Sequence, residues 1–139
     1  MMNEYRFEDL GIGLKESFEY KITLEAMDKF RGLTGDDNPL HVDDEFAREH
    51  GFVGRVTYGM LSASLFSTLG GMYLPGKYCI VQECDTKFLQ PVYVGDVLTI
   101  TGEVKELHES VQRADIKVTI VNQDNKKVVR GTLKVGFLE

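Results

Sequence analysis

Residues 56–72 run for 17 positions without a charged side chain. This stretch is slightly short for a membrane span. It also carries Thr57, Ser62, Ser64, Ser67 and Thr68, so a helix buried inside a water-soluble fold is the better expectation. Gly70 and Gly71 are expected to end that helix, and Leu74-Pro75-Gly76 to turn the chain. The segments that would bury it follow directly. Residues 78–88, 97–107, 111–121 and 127–137 are rich in β-branched residues with partial alternation, which reads as four strands. The separators 108–110 and 122–125 suit hairpins, so antiparallel pairing is expected.

Upstream, residues 18–22 alternate apolar and polar as a half-buried strand does. Thr23 suits an N-cap, and Leu24, Met27, Phe30 and Leu33 recur at helical spacing. Residues 43–51 begin with Asp43, Asp44 and Glu45 and end on Gly51, the pattern of a short helix whose charges complement its dipole. Strand, helices and then four strands signal an α+β fold, with residues 1–139 as one domain. One apolar helix with an antiparallel sheet suggests that the sheet wraps the helix.

The composition excludes several function classes. The chain has 16 Lys and Arg against 22 Asp and Glu, a net charge of −6, which argues against general binding to nucleic acid or anionic membrane. Residues 1–10 show no apolar run behind a basic start, so a cytoplasmic location is expected. Cys79 and Cys84, five apart on one expected strand, should face opposite ways and stay unbridged as reduced thiols. With three histidines and no Cys/His clustering, neither a metal site nor a redox cofactor is expected. His50 and His108, beside turns, are expected to be exposed.

The chemistry is expected in residues 34–41, Thr-Gly-Asp-Asp-Asn-Pro-Leu-His. Gly35, Asp37, Asn38 and Pro39 are turn formers, so this is a shaped loop rather than a helix interior. It can aim the Asp36 carboxylate and the His41 imidazole at one point, and an acid and an imidazole sharing a water can move protons. An isolated Asp-x4-His is more often a polar turn with a surface histidine. The neighbouring sequence changes that balance. Residues 30–41 resemble the hydratase motif of the MaoC-like family, most closely its short, single-domain (R)-specific enoyl-CoA hydratases. Arg55-Val56-Thr57-Tyr58-Gly59-Met60-Leu61 and Gln90-Pro91-Val92-Tyr93-Val94-Gly95-Asp96 resemble two further family blocks in the expected order.

The resemblance implies a hot-dog fold, a long sheet enclosing a central helix, in chains that pair as homodimers with sites at the subunit boundary. It implies reversible syn hydration of a trans-2-enoyl-CoA to the (R)-3-hydroxyacyl-CoA. Asp36 and His41 would hold the water, Asn38 would brace the loop, and the Gly59 N–H would face the thioester oxygen. Ser62 and Ser67 could line an acyl tunnel, although helix serines more often bond their own backbone. Arg55 and Lys77 are weaker candidates for the coenzyme A phosphates. Where relatives commonly have His-Gly, this chain has Tyr58-Gly59, and Tyr58 is expected to pack rather than react. The alternatives are a (3R)-hydroxyacyl-ACP dehydratase, a hot-dog thioesterase, or a non-catalytic acyl-thioester-binding module.

Overall fold

A computed structural model describes residues 1–139. Thr23 caps the first helix, α1 (Leu24–Thr34), by accepting from the Ala26 N–H at 3.0 Å. Asp43 caps α3 (Asp44–Glu49) by accepting from the Glu45 and Phe46 N–H groups. Between them lies α2 (Pro39–Val42), a single turn that takes in His41; the second half of the expected loop is therefore helical. The apolar spacing of α1 is only partly used for packing. Met27 is buried and Phe30 half-buried, but Leu24 and Leu33 are exposed within this chain.

The charge-free segment forms α4 (Gly59–Thr68), with Leu61, Leu65 and Phe66 buried. The glycine pair does not stop it. The chain continues as a π-helical turn over Leu69–Tyr73, in which Leu69 and Gly70 are buried. A Cβ at Gly70 would lie 3.0 Å from Leu133 Cδ2, so this glycine is a point of close approach to the sheet rather than a terminator. The turn ends at Leu74, and residues 3–5 tie it down: the Asn3 N–H donates to the Met72 carbonyl and its side chain to the Tyr73 carbonyl.

Five antiparallel strands follow the expected order: β1 (Lys15–Lys21), β2 (Cys79–Phe88), β3 (Val97–His108), β4 (Arg113–Val121) and β5 (Lys127–Phe137). They lie side by side as β1-β3-β4-β5-β2. Alternation places Leu98, Ile100 and Val104 of β3 and Ile116, Val118 and Ile120 of β4 on the helix side, all fully buried. The π turn touches β3 and both outermost strands, β1 and β2, so the sheet curls around it. This is the hot-dog arrangement of an α+β chain.

Bulges alter which residues share a face. In β2 the register shifts between Val81 and Glu83, so Cys79 opposes Phe137 and Cys84 opposes Leu133. Those partners are four residues apart on β5 and face the same side, so both cysteines share one face of the sheet rather than opposing faces, with Cys79 half-buried and Cys84 exposed. Both are free thiols. In β3 the shift between Val104 and Glu106 turns Glu106 and His108 outward beside Asp115. His108 is consequently half-buried, its Nε2 3.2 Å from Asp115 Oδ2, rather than exposed at a turn.

Candidate active site

The turn formers ahead of α2 build a sequence of small braces. Gly35 takes φ +71° and closes α1 by donating to the Arg31 carbonyl. Thr34 Oγ1 donates to the Phe30 carbonyl at 2.9 Å and accepts from the Asp36 N–H. Asp36 Oδ1 accepts from the Asn38 N–H at 3.1 Å, and Asn38 Oδ1 accepts from the Leu40 N–H at 3.0 Å, capping α2. Arg31 on α1 holds Asp37 at 2.6 Å. Asn38 is thus a loop brace, and its side chain borders neither cleft described below.

His41 on α2 places Nδ1 2.7 Å from the Val56 carbonyl oxygen. A carbonyl can only accept, so Nδ1 carries a proton, and in the neutral imidazole the lone pair is on Nε2. The segment before α4 is itself anchored: the Val56 N–H donates to the Leu40 carbonyl and the Thr57 N–H to the Val92 carbonyl. One extended run therefore orients the imidazole and fixes the start of the buried helix.

Tyr58 packs as expected, and it also makes a connection that the sequence did not indicate. Its ring is 2% exposed, stacked on His41 at 4.3 Å and tilted against Phe30 at 4.9 Å. Its hydroxyl donates to the Asp36 backbone carbonyl at 2.6 Å. Burial, and then the Asp36 charge, raise the phenol pKa above its ordinary value, so it remains a protonated donor.

Gly59 opens α4 without a side-chain cap from Tyr58, and at the first helical position its N–H has no intrahelical partner. The Phe88 ring closes against it: a Cβ at residue 59 would stand 3.1 Å from Phe88 Cε1. His41, Gly59 and Phe88 border two clefts. The larger, about 520 Å³, also contains Asp36, Thr34 and Tyr58. The smaller, about 300 Å³, contains Thr57, Ser62 and Val129. Asp36, His41 and Gly59 are therefore brought to one cleft, and Ser62, 2% exposed, borders the other. Ser67 does not join them; it is exposed and lines neither cleft.

Sequence reasoning missed two residues here. Phe88 stands between the clefts, and its signal was available in its place at the end of a strand just ahead of the Gln90–Asp96 block. Thr57 lines the smaller cleft with a buried Oγ1 that has no hydrogen-bond partner, a property no sequence pattern announces. Arg55 and Lys77 are already engaged, with Asp44 and Glu4 respectively.

The family of the MaoC like domain matches residues 8–128. This chain belongs to the MaoC-like family. It is 36% identical over 124 residues to the (R)-specific enoyl-CoA hydratase of Aeromonas caviae, covering 89% of this chain and 92% of that protein. It is 34% identical over 113 residues to the 3-hydroxybutyryl-CoA dehydratase of Methylorubrum extorquens, covering 81% and 72%. The solved structure of the A. caviae (R)-hydratase superposes with a TM-score of 0.90 at 35% identity, over 94% of this chain and 99% of that one. Hydration and dehydration are the two directions of one hydro-lyase reaction, and this MaoC-like chain is a hydro-lyase.

Proposed function

We propose that this chain is an (R)-specific enoyl-CoA hydratase that adds water reversibly, and with syn geometry, to trans-2-enoyl-CoA. The observation that carries the reading is the convergence of Asp36, His41 and the Gly59 N–H on one cleft, in a chain similar to named hydratases. His41 Nε2 and the Asp36 carboxylate hold the water from one side. As its oxygen bonds to C3 the water gives a proton to this pair, the C2–C3 π electrons move onto the thioester, and the enolate oxygen develops negative charge. The Gly59 N–H, at the positive end of the α4 dipole, faces that charge. The pair then returns a proton to C2 on the face that received the hydroxyl, giving the (R)-3-hydroxyacyl product. The residues supply every proton movement, and the reading calls for no metal or redox cofactor.

The same reading includes a homodimer. Strand β2 has a neighbour on only one side and exposes Ile80, Val81 and Phe88, an unprotected edge that a second copy would extend. Phe88 would then lie near the boundary, close to both clefts. Sedimentation equilibrium should give twice the chain mass.

The test of the chemistry is loss of the enoyl absorbance of crotonyl-CoA, with chiral analysis of the product. The native protein should give (R)-3-hydroxybutyryl-CoA, and Asp36→Asn should lower kcat by about a thousandfold with the fold intact. Near-full activity in Asp36→Asn would sink the mechanism.

A further inference from the structure

Three residues border both clefts: His41, Gly59 and Phe88. The first two carry the proposed chemistry, and Phe88 has no part in it so far. Its backbone is fixed. Phe88 closes β2 opposite Val129 of β5, and the Leu89 and Gln90 N–H groups both donate to the Val128 carbonyl. Its ring is freer, being half exposed and a member of none of the aromatic pairs in the chain. That ring stands against the first residue of α4. One carbon added to Gly59 Cα would lie 3.1, 3.3 and 3.4 Å from Phe88 Cε1, Cδ1 and Cζ, inside the roughly 3.5–4.0 Å at which carbon atoms rest. The space beside Gly59 is therefore filled to within one methyl group.

A trans-2-enoyl thioester sends its carbonyl carbon and its C4 tail to opposite sides of the double bond. With that bond at His41 and the thioester oxygen at the Gly59 N–H, one arm enters each cleft, and the enoyl carbons cross between them beside Phe88. The cleft with Ser62 and Val129, both buried, suits the acyl tail. The cleft with Thr34, Asp36 and Met60, all exposed, suits the thioester arm that leads out to solvent. We propose that the Phe88 ring gauges the width of the substrate at this crossing, so that the site takes straight-chain enoyl thioesters and refuses those branched at C2. A flat, unbranched enoyl unit needs the ring only to lean aside. A methyl on C2 widens that unit where the ring's anchored backbone cannot follow. Tail length is limited by the cleft beyond the ring and not by the ring itself. This rests on the hydratase reading and narrows its substrate class.

The test measures kcat/KM on crotonyl-CoA, 2-methylcrotonyl-CoA and trans-2-octenoyl-CoA for the native protein, Phe88→Ala and Phe88→Leu. The leucine variant keeps an apolar side chain there should the alanine variant fail to fold. One methyl group refused by a wall is worth about 10- to 200-fold in specificity. The ratio of 2-methylcrotonyl to crotonyl hydration should therefore rise about tenfold or more in Phe88→Ala and by less in Phe88→Leu, while the octenoyl ratio stays within about twofold of native. A merely structural role would depress all three substrates together and leave both ratios unmoved, which overturns the proposal while leaving the hydratase reading intact. A rise in both ratios together also overturns it, since the ring would then restrict length rather than branching. If the native protein hydrates none of the three, the hydratase reading fails. Calorimetric titration with butyryl-CoA and 2-methylbutyryl-CoA then decides the gauge, with an equal affinity ratio in native and Phe88→Ala proteins refuting it.

Discussion

Replacing Tyr58 by Phe removes one oxygen and leaves the ring between Phe30 and His41. The lost hydroxyl is the one that holds the Asp36 carbonyl at 2.6 Å. No orphaned donor remains at residue 58, and Asp36 is exposed, so its carbonyl can turn to water. The stability cost should therefore be that of one ordinary hydrogen bond, about 1 kcal/mol, a fall in Tm of about 4 °C for a chain of this size. The effect on activity should be disproportionate. A catalytic group misplaced by about 1 Å can lose about a hundredfold in rate, and with the tether gone Asp36 is held only by the Thr34, Asn38 and Arg31–Asp37 braces. Hydration of crotonyl-CoA should fall 10- to 100-fold, ~1.4 to 2.7 kcal/mol, in kcat rather than KM. The cycle with Asp36→Asn isolates the cause: once the carboxylate is gone, removing the hydroxyl should cost little further rate. Activity of Tyr58→Phe within twofold of native, or full additivity with Asp36→Asn, would refute the tether.

Other substitutions separate packing from chemistry. Gly59→Ala has a compatible backbone and sets its Cβ against the half-exposed Phe88 ring, which can shift. Stability should stay within about 1 kcal/mol, while the displaced ring and narrowed approach to the N–H lower kcat/KM at least tenfold; unchanged turnover would remove Gly59 from the site. Gly70→Leu drives a side chain into Leu133 and Cys79 and should cost about 1–3 kcal/mol or more in denaturant unfolding; an unaltered midpoint would mean that the π turn is loosely packed. Burial pushes the Cys79 thiol up to about 11, so maleimide at neutral pH should label exposed Cys84 first, as peptide mapping would report. The folded chain also keeps the Cys79 proton above the ordinary value of 9.0, where the unfolded chain releases it. That contribution is complete below pH 9 and is lost as pH rises toward 11, and Cys79→Ser should flatten this part of the stability profile.

The succession of strands along the chain was legible because β-branched runs and turn residues mark it locally, and Lys127–Phe137 was bounded to the residue; the placing of β2 beside β5 was not. The end of the central helix was not. Gly70 and Gly71 read as a stop because glycine weakens helices, whereas tertiary contact with Leu133 and Cys79 favours glycine there and the chain winds on. The opposed faces expected of Cys79 and Cys84 failed because the bulge between them reverses alternation without a clear local signature, and His108, expected to be exposed beside a turn, is half-buried against Asp115. Asp36, His41 and Gly59 could be named from spacing and resemblance, but the link through Tyr58 could not, since a backbone carbonyl carries no sequence identity.

The four residues Val56 to Gly59 touch every part of the proposed chemistry: one carbonyl fixes the imidazole, one hydroxyl fixes the carboxylate loop, and one N–H awaits the oxygen. The glycine pressed against the sheet, Gly70, lies at the opposite end of the same helix, about 15 Å away. Concentrating the reacting groups at one end leaves the other free to drift. Substitutions near Gly70 can reshape the interior without moving a reacting group, so descendants of such a chain can exchange one substrate for another while inheriting the reaction unchanged.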